Sequence, residues 1–120
     1  ITKAASGHTG GSLSIADLIT LLYFEEMHID PANPKMADRD RLVLSKGHAA
    51  PAMYAALAEK GYFDKEELNH LRQAGHMLQG HPDMKHTPGL RALLVRVFLL
   101  HAEWHLPPKW IMLPGEYMRF

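Results

Sequence analysis

The chain has 120 residues, no cysteine and a hydrophobic content of 47%, which suits one packed domain and is unlike a disordered tail. Thirteen basic and thirteen acidic residues give a formal net charge of zero, which argues against nucleic acid or an anionic membrane as partner. The lack of cysteine excludes disulfides and fits a reducing compartment, so we expect a cytoplasmic protein. No segment reaches membrane-spanning length, and none has the pattern of a signal peptide.

The N-terminal part combines a glycine-rich loop with an amphipathic helix. The chain starts without methionine shortly before this loop, and we therefore expect it to be cut from a longer gene product. Residues 6–14 read Ser-Gly-His-Thr-Gly-Gly-Ser-Leu-Ser, and so many glycines and hydroxyls predict a loop that folds closely around a ligand. Ser14 and Asp17 have the spacing of a capping box, and apolar residues at helical intervals predict a helix over residues 15–28. Prolines within residues 30–34 end that helix.

A short apolar run and a Gly-His corner form the centre of the chain. Residues 42–44, Leu-Val-Leu, predict a buried strand of a parallel sheet. Gly47 follows and can take backbone angles that a residue with a Cβ resists. His48 then stands between the carboxyl end of a strand and the start of a helix, where α/β proteins bind phosphate groups. The corner therefore predicts a ligand site.

Two helices and a long loop are predicted after this corner. The alanine-rich residues 49–60 have high helix propensity, and Gly61 is placed to end their helix. Asp64 and Glu67 form a second capping-box pattern at the start of a short helix. Residues 73–90 have no periodicity and several glycines and prolines, which predicts a long loop of the kind that carries function.

The last thirty residues, 91–120, differ in character from the rest of the chain. Residues 93–100 are almost all apolar and would cover nearly every face of a helix over residues 92–105, which suits only a deeply buried element. The residues that follow contain tryptophans and prolines without a clear period, so no element is assigned to them.

The nine histidines raise the question of a metal site, because neutral imidazole is a common zinc ligand. Their spacing argues against one, since no His-x-x-x-His pair lies on a clear helix and His-Glu-x-x-His is absent. His8, His48 and His81 each follow a glycine, which lets the backbone approach a ligand while the imidazole exchanges a proton near neutral pH. The pattern predicts a histidine pocket for a hydroxylated or phosphorylated molecule. The alternative for each is a turn glycine beside a solvent-exposed imidazole.

Three segments together resemble one enzyme family. They are the glycine-rich loop at residues 6–14, the run Asp-Arg-Leu-Val-Leu-Ser-Lys-Gly-His-Ala at 40–49, and Gln-Gly-His-Pro-Asp-Met with Thr-Pro-Gly at 79–89. In order and spacing they resemble the thiamine-diphosphate domain of transketolase over residues 1–90, most of all the separate N-terminal subunit found where the enzyme is split into two chains. The resemblance implies an α/β fold, a fragment of the doubly wound parallel sheet that binds thiamine diphosphate.

The resemblance also implies a role for each corner residue. His8 is similar to the family histidine at the reaction centre, which contacts the substrate near its transferred two-carbon unit. His81 is similar to the substrate-binding and proton-transferring histidine, so both are candidate catalytic residues. His48, with Gly47 before it, is similar to the histidine that reaches the diphosphate of the cofactor.

The implied activity is the transfer of a two-carbon ketol unit between a ketose and an aldose phosphate. The implied partners are sugar phosphate substrates, a second copy in a homodimer and a transketolase C-terminal subunit. In the complete family member, Mg²⁺ or Ca²⁺ holds the diphosphate. The ligands of that ion, a Gly-Asp-Gly motif and a downstream asparagine, are not found in this sequence, and the glutamate that activates the cofactor belongs to the family's second domain.

The residues after the Thr-Pro-Gly motif depart from the family pattern. The family continues with Asp-x-x-Thr-Gly-Ser-Leu-Gly-Gln-Gly, and synonymous codons for residues 91–120, read one nucleotide out of frame, can encode the segment from Gly-Ser-Leu onward. We therefore expect residues 1–90 to be a partial transketolase domain and residues 91–120 an out-of-frame tail, so that this chain alone is inactive. The alternative is a small binding or structural module that keeps the Gly-His loops without catalysis.

Overall fold

A computed structural model describes residues 1–83 and 85–90, together with the backbone of residues 110–113. The helix considered over residues 92–105 lies outside the described residues. No helix in the described ranges is long and apolar enough to cross a membrane. The regular elements are the helices α1 (Thr9–Leu13), α2 (Ala16–Leu21) and α3 (Ala50–Lys60) and the strands β1 (Arg41–Leu44) and β2 (Trp110–Leu113).

The two strands form a parallel pair. In their register Arg41 lies opposite Trp110, and Leu44 lies opposite Leu113. All four residues of β1 are buried, which is why its sequence is a continuous apolar run after the arginine. The predicted strand at residues 42–44 and the α/β class with a parallel sheet are thus confirmed, whereas β2 lies where no element was assigned.

The core lies between β1, α2 and α3. Burial of each large apolar side chain contributes roughly 1.5–3 kcal/mol relative to its exposure. The side chains that meet there are Ile19, Leu22, Tyr23, Leu42, Leu44, Met53 and Leu57. A second cluster packs α3 against the long loop and consists of Ala50, Tyr54, Leu71 and Leu78. The α3 helix therefore has apolar contacts on two sides, and it connects the strand to the loop.

The single helix predicted over residues 15–28 is confirmed in its approximate bounds but not in its type, since the backbone is helical from Ala16 to Glu26 in two forms. A short helix, α1, already forms at Thr9–Leu13, where the sequence predicted a loop. The α2 helix ends at Leu21, and the backbone then widens into a π-helical turn at Leu22–Glu26. Two glycines give α1 a low helix propensity, so its tertiary contacts must override that preference.

The predicted capping box at Ser14 is also wrong. The residue before α2 is Ile15, and its side chain makes no capping hydrogen bond. The Ser14 hydroxyl instead donates to the carbonyl of Gly11 at 3.0 Å and accepts from Lys46 Nζ at 2.9 Å. A charged donor from a distant segment thus replaces the local backbone N–H that a capping serine would bind.

The predicted helix after the corner is confirmed as α3. A 3₁₀ turn at Gly47–Ala49 leads into it, and Gly61 ends it at a φ of +98°. The expectation that Gly47 uses angles closed to other residues is wrong, because it is not among the described glycines with positive φ. A 3₁₀ turn has negative φ, which any residue can adopt.

The second capping pattern is partly confirmed. Asp64 precedes a 3₁₀ helix at Lys65–His70, and its carboxylate accepts a 2.9 Å hydrogen bond from the backbone N–H of Glu66. The carboxylate of Glu67 does not reach back to complete a capping box. It lies 3.6 Å from the imidazole of His76, a partner that local spacing could not predict.

Candidate functional site

His48 lies just beyond the carboxyl end of β1. Ser45 and Lys46 follow the strand, and His48 is the middle residue of the 3₁₀ turn that leads into α3. The imidazole is exposed. The chain thus presents this ring at the edge of the sheet where open α/β folds bind their ligands.

The structure brings His8 to the same edge. His8 is the residue that precedes α1, and its side chain makes no capping hydrogen bond. The centroids of the His8 and His48 rings lie 5.3 Å apart, and the ring planes meet at 78°. Gly7, before His8, has a φ of +130°, which a residue with a Cβ rarely adopts. The glycine therefore permits the turn that directs the first motif towards the second.

The contact between α1 and the 3₁₀ turn depends on a second glycine. A Cβ on Gly11 would stand 2.7 Å from Cδ2 of His48, closer than real Cβ contacts come, and 3.0 Å from its Nε2. Glycine at this position lets the backbone of α1 approach the imidazole directly. The Ser-Gly-His-Thr-Gly-Gly pattern thus contains one glycine for the turn and one for this approach.

Lys46 is a further site residue, for which the sequence pattern predicted no role. Its side chain is 8% exposed, and a lysine is rarely buried unless it is paired. Its ammonium donates to Ser14, as described above, and further interactions of Lys46 exist as well. A lysine two residues beyond a buried strand was a signal that could have identified it.

His81 makes no ring contact with this pair in the described part of the chain. Its side chain is exposed, and among the described residues the ring contacts are His8 with His48 and His70 with His76. The backbone before His81 is instead linked to the first motif through Arg72, which hydrogen-bonds to Ser6. His8 and His48 therefore meet directly, whereas the described link between the His81 loop and the first motif runs through this arginine.

The loop that carries His81 is fixed to α3 by a buried tyrosine. The hydroxyl of Tyr54 donates a 2.8 Å hydrogen bond to the carbonyl of Gln79. Burial raises the pKa of Tyr54 well above its ordinary value, because the phenolate would lose its hydration. The hydroxyl therefore stays protonated and able to donate throughout the neutral range.

Asp83 organises the turn that follows the Gly-His-Pro-Asp motif. Its carboxylate accepts hydrogen bonds from the backbone N–H of Lys85 at 2.9 Å and pairs with His86 Nδ1 at 2.7 Å. These bonds, the Lys85 N–H first, lower the pKa of Asp83 below its ordinary value. The carboxylate thus acts as a structural acceptor in the third motif.

Comparison with known sequences gives one family and several relatives. The family model described as the thiamine diphosphate binding domain of transketolase matches residues 1–93. A 6-deoxy-6-sulfo-D-fructose transketolase subunit of Clostridium sp. is 57% identical over 90 residues, which are 75% of this chain and 33% of that protein. One subunit of the apulose-4-phosphate transketolase of Phocaeicola vulgatus is 42% identical over 90 residues, or 75% of this chain and 32% of that protein.

Comparison with solved structures gives the same fold. Transketolase from Pichia stipitis, in complex with sedoheptulose-7-phosphate, superposes with a TM-score of 0.64 and 36% identity, over 74% of this chain and 13% of that one. This match confirms the prediction that the chain has part of the thiamine-diphosphate-binding fold. The chain spans about a third of the length of the two subunit relatives.

Proposed function

The chain belongs to the transketolase family, and from this premise we propose that it supplies part of the site for ketol transfer between a ketose and an aldose phosphate. The observation that carries the proposal is the contact between the His8 and His48 rings. It joins two of the three family motifs at the carboxyl end of β1, where α/β folds bind ligands.

The residues at this edge fit the anionic end of thiamine diphosphate. Lys46 provides a buried positive charge, and both Lys46 and the His48 ring lie within 4 Å of the place a Cβ of Gly11 would take. His48, and His8 in contact with it, provide N–H donors. Because Gly11 has no Cβ, the backbone of α1 can lie close to the His48 ring. Lysine and imidazole are suitable partners for a diphosphate because they donate charge-assisted hydrogen bonds. We therefore assign His48, Gly47 and Lys46 to the diphosphate.

The histidines supply proton transfer in this proposal. Bound thiamine diphosphate supplies the centre that carries the two-carbon fragment, so the protein contributes binding, orientation and protons. The exposed imidazole of His8 can hold or release a proton at a sugar oxygen near neutral pH. His81 takes the equivalent role at a second oxygen.

The isolated chain supplies only part of that machinery. Within the described ranges, no three or more His, Asp or Glu side chains are placed to hold a metal ion. We propose that Mg²⁺ or Ca²⁺, a homodimer partner and a transketolase C-terminal subunit complete the site, and that this chain alone does not catalyse ketol transfer. Two relatives carry names with the word subunit, which supports a partner chain.

The proposal is tested by titrating thiamine diphosphate and Mg²⁺ into the purified chain while recording the histidine ring signals by NMR. We expect weak, saturable binding that shifts the signals of His8 and His48, and no such shift with thiamine alone, which lacks the diphosphate. His48→Asn should abolish the shift at His8, whereas His28→Ala, at an exposed histidine whose backbone N–H bonds to Asp40, should not. Failure of millimolar cofactor to move either ring contradicts the proposal and favours a non-catalytic module.

A further inference from the structure

Arg72 contacts the segments that lead into two of the candidate histidines. Its Nη1 donates a 2.6 Å hydrogen bond to the hydroxyl of Ser6, two residues before His8. Its guanidinium also lies against Gly80, directly before His81, where a Cβ would stand 2.9 Å from Arg72 Nε and 3.0 Å from Nη2. One side chain therefore touches both loops, although no ring contact joins the two histidines in the described part of the chain.

The backbone of Arg72 has a conformation that residues other than glycine rarely adopt. Its φ is +63°, in the left-handed region, where a Cβ lies too close to the backbone. The backbone N–H of Arg72 donates a 2.7 Å hydrogen bond to the carbonyl of Leu78, which closes the intervening loop. Strain of this kind persists only where the surrounding structure holds it. Here it accompanies a side chain that reaches from one loop to another.

Both loops need such a contact because glycines adjoin the histidines. Gly7, with a φ of +130°, separates Ser6 from His8, and Gly80 stands directly before His81. Glycine has the largest conformational freedom of any residue, so the backbone at these positions restricts the imidazoles little by itself. Arg72 contacts Ser6, which precedes Gly7, and Gly80 itself, and both contacts limit that freedom.

We propose that Arg72 is a positioning residue that sets the separation and orientation of the His8 and His81 loops. A planar guanidinium can lie flat on the Gly80 backbone while one edge donates to Ser6, and a lysine ammonium cannot make both contacts at once. What the two histidines do rests on the proposed function. The contacts of Arg72 do not depend on it.

The test uses the whole chain with ¹³C-labelled histidine rings and compares NMR signals among variants. Ser6→Ala removes one of the two contacts, so it should shift the His8 signal and leave His81 in place. Arg72→Ala removes both contacts and should shift both signals. Adding Arg72→Ala to Ser6→Ala should change only the His81 signal further, because the contact to the His8 loop is already lost.

Two milder variants keep the test decisive if Arg72→Ala unfolds the chain. Gly80→Ala keeps the arginine but pushes its guanidinium away, and Gly80 is not among the glycines with positive φ, so alanine fits the backbone. It should shift both signals, whereas Gly10→Ala, whose Cβ meets nothing within 4 Å, should leave the His81 signal unchanged. Arg72→Lys should restore the His8 signal in part and the His81 signal not at all.

Several outcomes would overturn the inference. One is that Arg72→Ala and Gly80→Ala leave both signals unchanged. Another is that the changes spread equally to His28 and His86, which would indicate general loosening of the fold. Because no cofactor is present in this experiment, the paired shifts can appear in a chain that fails to bind thiamine diphosphate. In that case the positioning role stands and the proposed function fails.

Discussion

A Cβ on Gly11 would lie 2.7 Å from Cδ2 of His48, so the imidazole occupies the space that any other residue at position 11 would need. We expect Gly11→Ala to displace the His48 ring, because an exposed side chain yields more easily than the backbone of α1. Thiamine diphosphate should then bind more weakly, and the His8 ring signal should change. NMR titration with the cofactor measures both effects.

Gly10→Ala is the matched control for this prediction. Gly10 lies in the same helix, but a Cβ there meets nothing within 4 Å. Alanine is more favourable than glycine by roughly 0.5–1 kcal/mol in a helix interior and by less in the first turn, where Gly10 lies. Gly10→Ala should therefore stabilise the chain and leave cofactor binding unchanged. Equal loss of binding in both variants would contradict the close approach of Gly11 to His48.

The hydrogen bond between Lys46 and Ser14 should contribute measurably to stability. Hydrogen bonds to charged groups contribute about 1.5–3 kcal/mol, and we expect the lower end because Ser14 is exposed. A double-mutant cycle of Lys46→Met and Ser14→Ala, followed by urea unfolding, separates this bond from the other interactions of Lys46. The exposed pair of Lys65 and Glu59 is the control, with an expected coupling below about 1 kcal/mol. A coupling for Lys46 and Ser14 no larger than the control contradicts the prediction.

Buried tyrosines should make the chain sensitive to alkali. Burial raises the pKa values of Tyr23, Tyr54 and Tyr62 above the ordinary value of 10.0. The folded chain keeps these protons at a pH where the unfolded chain releases them, so their contribution to stability is complete below pH 10 and falls as the pH rises above it. Absorbance of the phenolate should therefore increase together with unfolding seen by circular dichroism. Ionisation of all three in a chain that stays folded would contradict this.

Tyr54→Phe separates the hydrogen bond of this tyrosine from its ionisation. Loss of the bond to Gln79 should cost about 1 kcal/mol at neutral pH, and the dependence of stability on pH above 10 should become shallower. Thermal unfolding at neutral and alkaline pH measures the two effects. An unchanged alkaline dependence would show that Tyr54 ionises as readily in the folded chain as in the unfolded one.

The ionisation of Asp83 should make the stability of the folded chain depend on pH in the acid range. Its folded-state pKa is lower than the unfolded value of 3.8, so its contribution is present above about pH 4 and is lost as the pH falls through the lower value. Asp83→Asn keeps an oxygen that can accept from Lys85 but removes the charge. As the pH falls from 4 to 2, we expect the variant to lose less stability than the parent chain. Above pH 5, the plots of stability against pH should be parallel for the two chains. Parallel curves in the acid range would contradict the prediction.

The DNA decides the origin of the C-terminal part. We expect codons 91–120, read one nucleotide out of frame, to specify Gly-Ser-Leu-Gly-Gln-Gly and the alanine-rich segment that follows it in the family. A displaced frame without the family segment would show that the tail has another origin.

Local patterns predicted the elements whose causes are local. The apolar run of β1 and the alanines of α3 with Gly61 behind them depend on burial and propensity, and both elements were predicted correctly. The α1 helix was missed because its glycines oppose a helix in isolation and tertiary contacts override them. The β2 strand was missed because its partner is far away in sequence.

The residues of the candidate site were likewise predicted only in part. The glycines beside His8, His48 and His81 were visible as a pattern, and the structure joins the first two. Lys46 and Arg72 were not singled out, since their importance lies in contacts with Ser14 and Ser6, which no spacing rule connects to them. A pattern therefore indicated which groups could do chemistry but not which groups hold them in place.

The parallel pairing of β1 with β2 also affects how the chain folds. Contacts between α3 and the 3₁₀ helix Lys65–His70 join nearby segments and can form early, whereas the pairing of Arg41 with Trp110 must first close a long stretch of chain. Contacts of such wide separation slow folding. If the sheet closes after the transition state, a weakened β2 changes the rate of formation little and shortens the lifetime of the folded chain.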